Sequence, residues 1–147
     1  MFDSIQRIVT GIDDDGHSCV VSRHVPEAVA AGPGLSLIDT LFETSQVPPP
    51  SGPAGQGEYL ELGVAPGLVK WFVVEYEPGA SFSMHHADTI DFDTVLAGSI
   101  ELVLDDGVHA LGPGDCVVMT GVGHAWRAGT DGCRMGVVML GTLPRSK

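Results

Sequence analysis

The sequence predicts an all-β protein, a sandwich or barrel of short antiparallel strands, and three observations support this fold class. Apolar and polar residues alternate over short segments, which is typical of half-buried strands. The chain contains 20 glycines and 10 prolines, enough to place a turn between most of these segments. No segment repeats its apolar residues convincingly at the spacing of a long amphipathic helix.

Length and charge limit the class of protein. The chain has 147 residues, of which 44% are hydrophobic, and this suits one domain with a buried core. We expect a single domain over 1–147, with its barrel over about 58–142 and N-terminal strands and an arm over 1–57. The formal net charge of -12 disfavours nucleic acid and anionic membranes as partners.

The sequence also carries expectations about the compartment. No apolar stretch approaches the roughly 18 residues of a membrane-spanning helix, and the N-terminus has no signal-peptide pattern. Cys19, Cys116 and Cys133 are widely spaced and form neither a CxxC motif nor a disulfide framework, which suits a reducing compartment. We therefore expect a cytoplasmic protein.

The N-terminal part predicts two strands followed by an arm. Residues 5–25 contain two strand-like segments around a polar turn at Asp15-Gly16. In 35–44 the alternation of apolar and polar residues favours a strand and leaves a helix open. Residues 45–57 contain four prolines and three glycines, so we expect an irregular segment that is more mobile than the barrel.

The segments after residue 57 predict the strands of the barrel. Residues 58–64 are strand-like, and the segments that follow are rich in β-branched and aromatic residues. Pro-Gly and Asp-Gly pairs separate several of them, and no helix longer than about three turns is expected. The further predicted strands lie near 69–77, 90–96, 99–104, 115–119, 124–127 and 134–140.

Three histidines and two aspartates in this region are candidates for a metal site. Side chains alternate along a strand, so His85 and His86 cannot both point inward, whereas Asp91 and Asp93 share a face. His124 follows a glycine-rich bend. Two neutral imidazoles and one carboxylate facing a cavity would suit Fe, Mn, Zn or Ni. The alternative is that both aspartates face solvent as the polar side of their strand.

Two segments resemble the signature motifs of the cupin superfamily. In the first, Gly79 is followed by His85 at the motif spacing, Asp91 stands at the acid position and Gly98 closes the motif. The second, GPGDCVVMTGVGHAW, contains His124. The resemblance implies a small single-domain cupin of the conserved-barrel kind. Its expected fold is a double-stranded β-helix, a jelly-roll barrel that holds a divalent metal ion.

The first motif departs from the usual pattern at two positions. Ala87 stands where a second histidine is usual, and Asp91 replaces a glutamate. Three of the usual four ligand positions remain, and two neighbours could take part. The expected metal ligands are His85, Asp91 and His124, with His86 and Asp93 as additional candidates.

The resemblance and the candidate ligands together predict a metal-dependent enzyme, a lyase or an oxidoreductase. Its substrate would be a small organic acid or an enolisable carbonyl compound, and decarboxylase, dehydratase, isomerase and dioxygenase chemistry all stay open. We expect Asp91 and Trp126 to act at the substrate, although Trp126 could equally be a core residue. The alternative function is a non-catalytic cupin that binds or senses an apolar small molecule.

The predicted sheets also carry an expectation about assembly. An open β-sandwich has strand edges that must be covered, and the family resemblance points to paired subunits. We expect a homodimer in which N-terminal strands pair with or cover a neighbouring sheet.

Overall fold

The fold is described by a computed structural model for residues 3–27, 32–35, 37–50, 52 and 54–144. All regular structure in these residues is β-strand, as the sequence predicts. In this part of the chain no helix has the length and hydropathy of a membrane span. The nine strands are β1 (Arg7–Ile12), β2 (Ser18–His24), β3 (Glu58–Tyr59), β4 (Val69–Tyr76), β5 (His85–His86), β6 (Thr89–Leu104), β7 (Gly107–Leu111), β8 (Cys116–Met119) and β9 (Ala125–Gly141).

Seven of these strands form one mixed sheet in the order β2-β1-β8-β6-β9-β4, with β7 paired to β6. β1 and β8 are parallel, and so are β3 and β5, which make a separate two-stranded sheet. The expectation of purely antiparallel strands is therefore wrong at these two pairs. Strands distant in sequence can pair in either direction, whereas a tight hairpin enforces antiparallel pairing.

β6 and β9 are long strands that contribute to both layers of the jelly roll. The pairing between them shifts register between Val95 and Ala97 and between Gly98 and Ile100, and such bulges bend a strand. Gly98 has a φ of 78°, and a Cβ there would lie 2.1 Å from the carbonyl oxygen of Gly132. A residue with a side chain would therefore force the two strands apart.

The apolar core lies between the layers. Its side chains come from the inward positions of β1, β6, β8 and β9, and burying each large one contributes roughly 1.5–3 kcal/mol. The core therefore has its own stability, independent of any bound group. It includes Ile8, Val95, Ile100, Leu102, Leu104, Leu111, Val117, Met119, Val122, Trp126, Cys133, Met135, Val137 and Met139.

The predicted barrel strands are present, and two pairs of them merge. The segments predicted at 90–96 and 99–104 are the single strand β6, and those at 124–127 and 134–140 are β9. Glycines and bulges interrupt the apolar pattern there without ending the hydrogen-bond ladder. Of the strand-like segment 58–64, only β3 is a strand.

The prediction of a strand at 35–44 is wrong. The described residues of that range form no regular strand; instead, the segment runs over the outer face of β6, where the rings of Phe42 and Phe92 lie 5.6 Å apart. Leu35, Leu37 and Ile38 remain exposed, so their alternation does not reflect burial in a sheet. Leu35 makes only an isolated bridge to Gly32.

The described residues of 45–57 are irregular, as predicted, but the end of this segment is held in place. Ala54 accepts a hydrogen bond from the Gly123 N–H at 2.6 Å. Just beyond, Glu58 donates to Met84 at 3.2 Å, and Leu60 donates to His86 at 2.8 Å. We call residues 54–60 the clamp, because they contact the elements that carry His85 and His124.

Candidate metal and substrate site

A cavity of about 250 Å³ opens on the inner face of the sheet beside the clamp. Its walls come from alternate residues of β4, β6 and β9, together with the segments around His85 and His124. Most lining side chains are apolar or aromatic, and the polar ones are few, as in typical small-molecule sites. The polar lining residues are Thr89, Asp91, Asp93, His85 and His124.

His85 and His124 lie side by side in this cavity. Their backbones exchange two hydrogen bonds, each of 2.9 Å, and their ring centroids are 4.4 Å apart. Nδ1 of His85 lies 3.0 Å from the carbonyl oxygen of Ser83, and Nδ1 of His124 lies 2.7 Å from that of Val122. A carbonyl oxygen only accepts, so both Nδ1 atoms carry the proton and both Nε2 atoms keep a lone pair.

His124 is neutral at ordinary pH. The pKa of His124 is lowered to about 4, chiefly by burial; its hydrogen bond to Val122 acts in the opposite direction, and the nearby His85 and His86 add to the lowering. A neutral imidazole with a fixed Nδ1 proton is the form that binds a metal ion.

Asp91 and Asp93 are both buried on the inner face of β6, so they share a face as predicted and the solvent-facing alternative is wrong. Burial raises the pKa of Asp91 to about 7, against a hydrogen bond with Thr89 that lowers it. Burial and the charge of Asp91 raise the pKa of Asp93 well above its usual range. Oδ1 of Asp91 is buried without a hydrogen-bond partner.

The donor atoms in the cavity suit a divalent ion, but they do not close around one point. Among the described residues, one group of three has ligand atoms that all lie within 4.8 Å of one another, and it is Asp13, Asp15 and His17 on an exposed turn. His85, Asp91 and His124 do not meet that distance. The imidazoles of His85 and His124 are of a type that binds a metal ion. The convergence of all three predicted ligands on one ion stays a prediction.

The neighbouring candidates occupy different positions. Ala87 lines the cavity at the usual second-histidine position. His86 does not line it; its ring lies 5.8 Å from that of Tyr59, as the alternation along the strand predicts. Trp126 is buried in the core and also forms a cavity wall, with its ring 5.9 Å from that of His124; its action at a substrate stays a prediction.

Several residues of the cavity wall belong to no motif in the sequence. Thr89, Met119, Met135 and Met139 line the cavity, and the alternation along β9 would have placed the last two on its inner face. Tyr76 also lines it, and burial, with smaller contributions from Asp93, Cys133 and Asp91, raises its pKa to about 12.

The clamp is a second feature that the sequence did not reveal. A Cβ on Gly123 would lie 1.8 Å from the carbonyl oxygen of Gln56, and one on Gly57 would lie 3.0 Å from the His85 backbone nitrogen. Both approaches need glycine. The close spacing of glycines in GQG and GVG is the signal in the sequence that could have indicated this contact.

Comparison with known proteins gives one family match and several relatives. Residues 72–141 match the Cupin_2 family model, described as a cupin domain. Phomopsin biosynthesis cluster protein C' of Diaporthe leptostromiformis is 43% identical over 56 residues, which are 37% of this chain and 30% of that protein. The cupin-domain-containing oxidoreductase fogC of Aspergillus ruber is 26% identical over 147 residues, covering 95% of this chain and 68% of that protein.

A solved structure of similar extent is a sugar phosphate isomerase of the cupin superfamily from Silicibacter pomeroyi. It has 22% sequence identity and a TM-score of 0.45, and the match covers 95% of this chain and 73% of that one. The chain spans about 30% of the length of the phomopsin cluster protein. The family match over 72–141, together with the jelly-roll strands that those residues form, makes this segment a cupin domain.

Proposed function

We propose that this protein is a small cupin-type enzyme in which His85 and His124 hold a divalent metal ion. The observation that carries this proposal is the pair of adjacent imidazoles whose Nδ1 protons are both engaged by backbone carbonyls. This arrangement leaves two Nε2 lone pairs in one cavity, and the buried, unpartnered Oδ1 of Asp91 is a third candidate donor. The ion would supply Lewis-acid polarisation of a substrate oxygen.

The two carboxyl groups support proton transfer as the chemistry of the cavity. Because the pKa of Asp91 is about 7, its carboxyl group can hold or release a proton near neutral pH. Asp93 keeps its proton to higher pH than an ordinary aspartate. The walls around them, including Trp126 and Phe82, restrict water.

We therefore infer that the substrate is an enolisable carbonyl compound or a small organic acid. Proton transfer at the carbon beside a carbonyl, as in an isomerase or dehydratase, uses both features of the site. The name of the relative fogC, a cupin-domain-containing oxidoreductase, supports oxidoreductase chemistry as the other enzyme class. A non-catalytic binding protein is the second candidate function, and Ala87 at the usual histidine position favours it.

Metal content measured after loading tests this proposal. The protein is purified without chelator, loaded in separate samples with Zn, Mn, Ni or anaerobic Fe(II), desalted and measured by mass spectrometry of the elements. We expect about one ion per chain for one of these metals in the wild type, and below about 0.1 for His124→Ala. Unchanged metal content in His124→Ala would contradict the proposal.

Two control variants separate the cavity from the surface. His109→Ala removes a histidine whose Nε2 lies 2.6 Å from Asp106 on a hairpin outside the cavity, and it should keep the ion. His17→Ala removes the imidazole of the exposed Asp13 turn and should keep it as well. Loss of the ion in His17→Ala would move the metal site to that turn.

A further inference from the structure

The side chains that line the cavity, and their charges, also determine which class of ligand can bind there. We infer that the cavity without a metal ion binds an uncharged, ring-sized apolar group and excludes carboxylates and phosphates. The location of the site rests on the proposed function, and the inference concerns only the group that enters the cavity.

The walls suit a flat apolar ring. Methionine side chains adapt to irregular or planar surfaces, and aromatic side chains stack on rings or meet their edges. The volume of about 250 Å³ lies just below the range of pockets for drug-sized ligands, so one ring with short substituents fits. The methionine and aromatic residues that line the cavity are Met119, Met135, Met139, Phe72, Tyr76, Phe82 and Trp126.

No positive side chain among the described residues lines the cavity. The arginines of that part of the chain have polar partners elsewhere: Arg127 pairs with Glu101 at 3.6 Å and Arg134 with Glu75 at 2.8 Å. Arg7 bonds Ser22 at 3.1 Å, and Arg23 bonds Gln6. An anion in the cavity would therefore be desolvated without a counter-charge.

The cavity also contains two carboxyl groups, those of Asp91 and Asp93. Neither carboxyl group supplies a positive charge, so neither compensates the charge of a bound anion. Carboxyl oxygens and the Nε2 atoms of the two histidines can instead accept hydrogen bonds from a neutral hydroxyl group.

Lys70 lines a surface pocket that shares residues with the cavity. It lies with Leu62, Phe72 and Met139 along a shallow groove, and these three residues also line the cavity. An acidic substituent could therefore remain outside beside Lys70, while the group that enters the cavity is uncharged.

Three probes with the same ring test the inference: acetophenone, benzoate and benzylammonium. Each is titrated into chelator-treated, ¹⁵N-labelled protein at pH 8, and the indole N–H signals are followed by NMR. The chain has 2 tryptophans; Trp126 reports the cavity, and Trp71, which is 84% exposed, reports the outer surface. Trp71→Phe assigns the two signals.

We expect acetophenone to shift the Trp126 signal with an affinity at least about tenfold higher than that of benzoate, and to bind at least as tightly as benzylammonium. Equal or tighter binding of benzoate, or tightest binding of benzylammonium, would overturn the inference. So would the absence of any Trp126 shift with acetophenone up to its solubility.

Because the probes bind without metal, acetophenone binding combined with absent metal retention would refute the proposed function and leave this inference standing.

Discussion

Two clusters that combine several carboxyl and imidazole groups differ in kind: the exposed turn of Asp13, Asp15 and His17, and the cavity of His85, His124, Asp91 and Asp93. The ligand atoms of the turn lie within 4.8 Å of one another, whereas those of the cavity do not. Yet Oδ1 of Asp13 already accepts the N–H groups of Asp15 and His17, both at 2.9 Å.

Proximity of donor atoms therefore does not by itself indicate a functional site. In the turn, backbone hydrogen bonds lower the pKa of Asp13, and the carboxylate stabilises the loop as in an Asx-turn. In the cavity, burial keeps His124 neutral and raises the pKa of both acids. Groups that are desolvated without full compensation are the ones available for chemistry.

Substituting a glycine in each region should give the largest contrast. A Cβ on Gly123 meets the Gln56 carbonyl oxygen at 1.8 Å, and neither backbone can move without disturbing the clamp and His124. Gly16 in the turn has a φ of 81° and nothing within 4 Å of a Cβ. Gly123→Ala should cost about 3 kcal/mol of unfolding free energy and Gly16→Ala about 1 kcal/mol, as measured by urea unfolding.

The amount of metal retained should also differ between these two glycine variants. Gly123→Ala should also lose bound metal, because the bend that it occupies positions His124, and Gly16→Ala should retain the ion. Equal stability losses in the two variants would show that the clamp does not hold the cavity in shape.

The acids of the two regions should respond to pH in opposite directions. Burial raises the pKa of Asp91 and Asp93, so between about pH 4 and 7 the folded state keeps protons that the unfolded state releases. Stability from these acids therefore falls as the pH rises. The lowered pKa of His124 has the opposite effect between its folded value of about 4 and its ordinary value of 6.5.

His124 contributes equally to the variant and the wild type, so the comparison between them reports Asp93, and Asp93→Asn should be more favourable for folding at pH 8 than at pH 5. Asp13 has a lowered pKa, and its stabilisation is present above its unfolded pKa and lost in acid. Asp13→Asn should therefore destabilise at pH 8 and have less effect near pH 3. Urea unfolding at these pH values measures both, and an Asp93→Asn effect independent of pH would contradict the burial argument.

The arm on the opposite side of β6 should give a smaller effect. The ring of Phe42 lies 5.6 Å from that of Phe92, and Phe42→Ala should cost about 1 kcal/mol. Subtilisin should then cut the variant within 45–53 faster than the wild type, while the clamp is cut later because it is paired to β5 and to the bend before His124. First cleavage within 90–140 would contradict the expected mobility of residues 45–57.

The sequence predicted those parts of the molecule that depend on local pattern. The alternation of apolar and polar residues along β4 and β6 predicted these strands and placed Asp91 and Asp93 on one face. The same alternation predicted that His85 and His86 point to opposite faces. Motif spacing brought His85 and His124 into one cavity. Each of these predictions depends on neighbours within a few residues or on a short motif.

What the sequence could not predict depends on contacts between distant segments. The parallel pairing of β1 with β8 and the approach of Gly123 to Gln56 follow from the packing of the whole chain. The segment 35–44 has the apolar alternation of a strand, but its described residues form no ladder and its contact with β6 is made through Phe42. Pattern alone cannot distinguish such a segment from a paired strand. The distance from Asp91 to the histidines likewise depends on the width of the cavity.

The smallest expected effect on stability concerns the outer surface of β4 and the predicted homodimer. β1 pairs with β8 of its own sheet and β2 pairs with β1, which leaves β2 and β4 at the two ends of the sheet. Trp71 on β4 is 84% exposed, and Val69 and Val73 beside it are also exposed. A contiguous apolar surface on an edge strand suits association with a second copy.

Trp71→Glu should therefore change the unfolding free energy of the monomer by no more than about 0.5 kcal/mol and yet abolish dimerisation, because a large aromatic residue often dominates an interface. Val21→Glu, at an exposed valine on β2, is the matched control and should leave the dimer intact. Sedimentation at tens of micromolar protein measures both masses. If Val21→Glu alone dissociated the dimer, the interface would lie on the N-terminal strands instead. If the wild type were a monomer at that concentration, the predicted homodimer would be excluded, because the exposed surface around Trp71 would then have no second copy bound to it.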